Sequence, residues 1–158
     1  MSARGLTVGT KAPEITLFDQ DKQQRPLSGF WKGGNAVLAF FPGAFTSVCT
    51  KEMCTFRDQV GKLGSLQAQV VGVSVDSPFA LKGFAEKNSI NFPLMSDHDR
   101  RAVKAYGVEL PDFAGMQGYT AAQRSVFIVG RDGFVKYAWV APNPGVEPDY
   151  AEIEKRLG

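Results

Sequence analysis

The stretch Ala36-Val37-Leu38-Ala39-Phe40-Phe41-Pro42-Gly43-Ala44-Phe45-Thr46-Ser47-Val48-Cys49-Thr50-Lys51-Glu52-Met53-Cys54 changes its hydrophobic pattern partway along. Its first six residues are a continuous apolar run, the mark of a short strand buried on both faces. From Thr46 the period lengthens. Thr or Ser is placed to cap, Glu52 follows early, and Phe56, Val60 and Leu63 recur at helical spacing, which predicts a helix from Thr46 to about Leu66. Cys49 and Cys54, the two cysteines of the chain, both fall inside that helix.

Working outward, residues 69–75 read as a second buried strand, and Asp76-Ser77-Pro78 opens a helix that ends near Asn88, with its proline just inside. Residues 92–95 read as a short edge-like strand, because Pro93 cannot donate to a ladder. A short helix from Asp99 to Tyr106 is stopped by Gly107. Residues 124–129 and 134–140 form two strands around the turn Gly130-Arg131-Asp132-Gly133. A last helix begins near Pro148-Asp149 and runs to Leu157. Strand, helix, strand, helix, then a hairpin and a helix predicts an α/β layered fold with a mixed central sheet flanked by helices. Residues 109–123 have no clear period and read either as an ordered functional loop or as a disordered surface loop.

With 158 residues, 44% apolar and 22% charged, the chain is expected to form one domain spanning 1–158 around a real core. Net charge is +2 and the longest basic run is the pair Arg100-Arg101, which argues against nucleic acid or an anionic membrane as partner. The N-terminus lacks an apolar signal core and no 18-residue apolar run follows, so the expected location is cytoplasmic. Cysteines in a reducing compartment suggest chemistry or metal binding more than a structural staple. A structural zinc site takes about four ligands, and with His98 as the one histidine, far from the cysteines, zinc is not expected.

A thiol in the first turn of a helix faces free amide N–H groups and the positive end of the dipole, which favour thiolate over thiol. The Thr46 hydroxyl, three residues earlier, is placed to hydrogen-bond the sulfur or an oxygen beside it, and Pro42 offers an apolar wall without an N–H. The bland alternative is that Cys49 is a small buried hydrophobe.

Pro42-xxx-Thr46-xx-Cys49 resembles the catalytic signature of peroxiredoxins, thiol peroxidases with a thioredoxin-like fold. The continuation Cys49-Thr50-Lys51-Glu52-Met53-Cys54-Thr55-Phe56-Arg57-Asp58 is similar to the Q-type branch, the bacterioferritin comigratory proteins, in which a second cysteine commonly follows five positions on. The chain carries Ser47-Val48 where that branch usually has Pro-Gly, and Phe40-Phe41-Pro42-Gly43-Ala44-Phe45-Thr46 is also similar to the one-cysteine alkyl hydroperoxide reductase E branch. The likeness extends through Val8-Gly9-Thr10-Lys11-Ala12-Pro13, Gly72-Val73-Ser74-Val75-Asp76-Ser77, Phe92-Pro93-Leu94-Met95-Ser96-Asp97, Tyr106-Gly107-Val108 and Arg124-Ser125-Val126-Phe127-Ile128.

The resemblance implies Cys49 as peroxidatic nucleophile, Arg124 as the family's catalytic arginine, and Pro42 and Thr46 as parts of the same site, without metal, haem or flavin. A guanidinium suits this task because it is a permanent cation with several donors. The implied reaction is displacement on hydrogen peroxide or an organic hydroperoxide, leaving Cys49 as a sulfenic acid. Cys54 is implied as the resolving cysteine, with the disulfide recycled by thioredoxin or a glutaredoxin-like protein. Residues i and i+5 on a helix are offset by about 140° and about 7.5 Å, so their Cα atoms lie roughly 8–9 Å apart. A disulfide needs about 7 Å or less. Resolution by Cys54 therefore predicts local unwinding of residues 46–56. The alternatives are a single-cysteine peroxidase resolved by an external thiol, a disulfide oxidoreductase, and a redox-sensing or holdase protein. Monomer and homodimer are both compatible with the sequence.

Other positions carry plainer readings beside functional ones. His98, in a polar segment, reads as a solvated surface histidine. Glu52 matches a family position that orders the arginine, or is a first-turn glutamate favoured by the helix dipole. Asp76-Ser77 reads as a helix cap, Trp31 and Trp139 as core or interface, and Phe45 either as a wall of the peroxide entrance or as packing.

Overall fold

The computed structural model describes residues 5–157. Among the described residues nine strands form in chain order: β1 (Thr16–Asp19), β2 (Gln24–Pro26), β3 (Asn35–Phe40), β4 (Ala68–Ser74), β5 (Leu94–Ser96), β6 (Glu109–Leu110), β7 (Ala121–Ala122), β8 (Ser125–Val129) and β9 (Val135–Val140). Four α-helices accompany them: α1 (Ser47–Ser65), α2 (Pro78–Asn88), α3 (Arg101–Ala105) and α4 (Tyr150–Leu157). Seven strands make one sheet in the order β2-β1-β5-β4-β3-β8-β9, parallel from β3 through β4 to β5 and antiparallel elsewhere. This is the mixed sheet with flanking helices that the pattern predicts.

The apolar character of β3, β4 and β8 is explained by burial on both faces. Val37, Ala39 and Phe41 join Val70, Val126 and Ile128 on one face, under Cys49, Met53, Phe56 and Leu63 of α1, Leu81 and Phe84 of α2, and Ile153 and Leu157 of α4. Leu38 and Phe40 join Val71, Val73, Phe127 and Val129 on the other, against Leu17, Leu27, Phe30, Trp31, Met95 and Tyr106. Gly72 sets how closely α1 approaches. A Cβ there would meet Leu94 Cδ2 at 2.7 Å, Phe41 Cε1 at 3.2 Å and Met53 Sδ at 3.4 Å.

Two features differ from the sequence reading. The strand near Pro93 begins after the proline, at Leu94, and lies between β1 and β4 instead of at an edge. Pro93 stands just outside it, where its carbonyl accepts the Gly72 N–H at 2.9 Å, so the missing donor costs the ladder nothing. Its outer partner β1 has no sequence signal, because Thr16–Asp19 is too short to establish a period. The second feature is the aperiodic stretch 109–123. It closes on itself through the β6–β7 pair and a 3-10 turn at Phe113–Gly115.

Replacing Gly72 by alanine forces the Leu94 and Phe41 side chains outward. Urea unfolding of Gly72→Ala is expected to show a loss of about 1–3 kcal/mol, the usual range for overpacking a filled core.

Candidate active site

Chain topology brings the site together. β3 ends at Phe40, and the next residues turn over the sheet edge before α1 begins. β8 runs antiparallel to β3 with Ser125 opposite Phe40, so Arg124 stands just before its strand where β3 finishes. Side chains alternate along a strand, and Arg124 shares the parity of Val126 and Ile128, which face α1. β4 runs parallel to β3, so its own end, Ser74 to Asp76, comes up on the other side.

The turn at residues 41–46 is held from β4. Asp76 Oδ2 accepts the Ala44 N–H at 2.8 Å and the Ser74 hydroxyl at 2.7 Å. The cap reading of Asp76-Ser77 thus divides. Ser77 caps α2 by accepting the Ala80 N–H, while Asp76 fastens the turn. Phe45 adopts a left-handed backbone (φ 66°), is 54% exposed, and packs edge-on to Phe84 at 5.4 Å between ring centroids. Pro42 is buried. A Cβ on Gly43 would lie 3.7 Å from Phe113 Cε2, so the 109–123 segment reaches the turn.

Thr46 is the N-cap of α1 with extended backbone, and its hydroxyl donates to the Gly43 carbonyl at 2.7 Å, not to Cys49. The oxygen lone pairs stay available to accept. Cys49 occupies the first turn, as expected, and is fully buried. The first amides of α1 have no carbonyl four residues back to bond. Thr50 is the first to pair, with the Thr46 carbonyl at 2.8 Å.

Arg124 is 1% exposed and spends its donors on three partners. Nη2–H donates to Cys49 Sγ at 3.0 Å, Nη1–H to Glu52 Oε1 at 2.6 Å, and Nε–H and Nη2–H to the Pro144 carbonyl at 3.2 and 3.0 Å. The carbonyl cradle is fixed in turn by Gln123, whose Nε2–H donates to the Ala141 carbonyl, and by the Ala141 N–H bonding the Arg124 carbonyl. Loss of hydration acts against the Arg124 charge, but Glu52 and Cys49 more than restore it, so its proton affinity rises above the ordinary value.

Glu52 therefore belongs to the arginine network. It lies past the first turn of α1, so the dipole reading fails. A signal in the sequence sharpens this: Cys49, Glu52, Met53 and Phe56 fall on one buried stripe, where a glutamate needs a partner. Burial raises its carboxyl from 4.5 to about 8, outweighing the attraction of Arg124, and nearby Glu147 adds to the rise. Glu147, which the sequence alone does not single out, accepts from the Tyr150 hydroxyl at 2.7 Å and pairs with Lys51 at 3.1 Å.

Cys54 lies five residues further along α1, half-buried, and both cysteines are free thiols. The Cys54 thiol points to Asn88 Oδ1 at 3.8 Å, at the end of α2, and Arg57 Nη1–H donates to the Asn88 carbonyl at 2.6 Å. The helix is unbroken from Ser47 to Ser65, so the structure holds the two sulfurs on one continuous helix and does not join them. His98 is exposed, and its ring lies tilted against Phe18 at 6.1 Å between centroids, outside this network. Among the described residues no helix is long and apolar enough to cross a membrane, and no cluster of three or more His, Cys, Asp or Glu could hold a metal.

A carboxyl raised on folding makes the folded state bind the extra proton. Stability is then lost as pH climbs from the unfolded value of 4.5 through about 8. Thermal unfolding is expected to show wild type losing stability relative to Glu52→Gln between pH 5 and pH 9.

The AhpC/TSA family model matches residues 8–138. Peroxiredoxin Bcp of Escherichia coli is 35% identical over 135 residues, 85% of each chain. Peroxidoxin BcpB of Mycobacterium tuberculosis superposes with a TM-score of 0.81 at 29% identity, covering 95% of this chain and 93% of its own. PrxQ of Xylella fastidiosa superposes with a TM-score of 0.84 at 25% identity, covering 98% and 97%. A turn that presents a buried thiol to a buried arginine, on this sheet and in this company, makes the chain a member of the AhpC/TSA family, a thiol peroxidase among the Bcp and Q-type peroxiredoxins.

Proposed function

We propose that Cys49 is the peroxidatic nucleophile, reducing hydrogen peroxide and organic hydroperoxides with Arg124, Thr46 and the free amides of α1 around it. The observation that carries this is the 3.0 Å contact from Arg124 Nη2 to Cys49 Sγ, with both side chains buried. In a medium of low polarity the guanidinium charge acts on the sulfur with little screening, and its fork is already fixed by Pro144 and Glu52 before substrate arrives. The thiolate attacks one peroxide oxygen in line with the O–O bond. Thr46 Oγ1, whose own proton is engaged with Gly43, accepts the peroxide O–H. The amides and Arg124 stabilise charge on the departing oxygen. Pro42, buried in the turn before α1, is the apolar wall of the site in this scheme.

Cys54 resolves the sulfenic acid in this scheme, condensing to a disulfide with loss of water. The wide helical separation of the two residues means that residues 46–56 must first unwind. That step releases the Glu52–Arg124 pair and withdraws Met53 and Phe56 from the core, so it is an uphill opening trapped by the S–S bond. Thioredoxin or a glutaredoxin-like dithiol in the cytoplasm then reduces the product.

Reduced protein treated with one equivalent of hydrogen peroxide and then alkylated is expected to lose two hydrogens and both alkylation sites in its intact mass. Cys54→Ser is expected to gain one oxygen instead, and Cys49→Ser to stay unchanged. Gain of oxygen by wild type with Cys54 still alkylatable would replace the internal scheme by resolution through an external thiol.

A further inference from the structure

Two acids share one base in this site. Cys49 Sγ and Glu52 Oε1 both accept from the Arg124 guanidinium, at 3.0 and 2.6 Å, and all three side chains are buried. With both acids ionised the cluster would carry a net negative charge away from water, an expensive arrangement. The second carboxylate oxygen, Glu52 Oε2, is buried and has no hydrogen-bond partner among the described residues. An ionised carboxylate leaves that oxygen as a bare buried charge, whereas a protonated one does not. The surroundings offer no other relief. Glu147 faces Glu52 with the same sign and is taken up by Lys51, and the Tyr150 hydroxyl, which burial keeps protonated, is already given to Glu147.

We infer that Glu52 is the proton reservoir of the peroxidase reaction: it holds a proton while Cys49 is a thiolate, and gives it up when Cys49 becomes a neutral sulfenic acid. The burial-raised carboxyl described above agrees with this. The step balances. The thiolate sulfur forms a bond to one oxygen of hydrogen peroxide and the O–O bond breaks, so sulfur is oxidised and peroxide reduced. The Glu52 proton goes, directly or through a water, to the departing hydroxide, giving water, a sulfenic acid and a Glu52 carboxylate. Arg124 then changes partners without moving. It pairs with the thiolate before the reaction and with the carboxylate after it, so the buried cluster keeps the same net charge throughout. Once the sulfur is neutral, the full charge of Arg124 falls to Glu52.

The inference rests on Cys49 being the peroxidatic thiol, and the test separates the two. Cys54→Ser protein, which stops at the sulfenic acid, receives one equivalent of hydrogen peroxide near pH 7 while three signals are read: intact mass, reaction-induced infrared difference spectrum, and proton uptake by an indicator dye in weak buffer. The expected result is gain of one oxygen, loss of a buried protonated-carboxyl C=O band, and no net proton taken from solution. The band is expected to be missing from Glu52→Gln/Cys54→Ser. Should that variant fail to fold, Glu52→Asp/Cys54→Ser, which keeps a carboxyl, is expected to move the band. Gain of oxygen with a silent carboxyl region overturns the reservoir, whatever the dye reads, and leaves the peroxidase reading standing. No gain of oxygen overturns both.

Discussion

One buried guanidinium organises this end of the molecule. Arg124 touches the first turn of α1 through Cys49, the second through Glu52, and the 141–144 segment through the Pro144 carbonyl. An unpaired arginine at that depth would be strongly destabilising. Its need for partners therefore fixes where α1 sits, and with it the direction of the Cys49 sulfur. In the proposed mechanism, positioning and activation of the thiol are one interaction.

In the proposed scheme the same interaction places a constraint on turnover. Resolution by Cys54 would ask α1 to come apart at the residues that Arg124, the Asp76-braced turn and the core hold in place. The Gly72 pocket that admits Met53 adds to the hold. A site ordered enough to attack peroxide is thus opposed to the opening that completes the cycle. Glu52 stands at the hinge of that conflict. Its carboxyl secures Arg124 while α1 is formed, yet it is buried with its second oxygen lacking a hydrogen-bond partner among the described residues.

Much of this is legible in the sequence. A continuous apolar run of six residues marks β3, a valine-rich stretch marks β4, and the change of period after Pro42 marks α1 with Cys49 in its first turn. The Pro42, Thr46 and Cys49 spacing leads to the family. Arg124 is reached through the resemblance, since an arginine before an apolar strand carries no local signal of burial. What the sequence hides are partnerships made by topology. Asp76 looks like a cap because Asp-Ser-Pro is a helix start, and only the parallel pairing of β3 and β4 aims it at Ala44. Pro144 and Glu147 lie in a turn-rich segment whose sequence says nothing of its neighbours, and β1 and β2 are too short to show a period.

If Arg124 activates Cys49, removing its charge should remove the thiolate. The direct measurement is ultraviolet absorbance of the Cys49 thiolate at neutral pH in Cys54→Ser protein, with and without Arg124→Gln. The account predicts thiolate absorbance in the parent and its loss in the variant, with helix content unchanged by circular dichroism. Equal absorbance in two folded proteins would contradict it and assign control of the sulfur to the end of α1 alone.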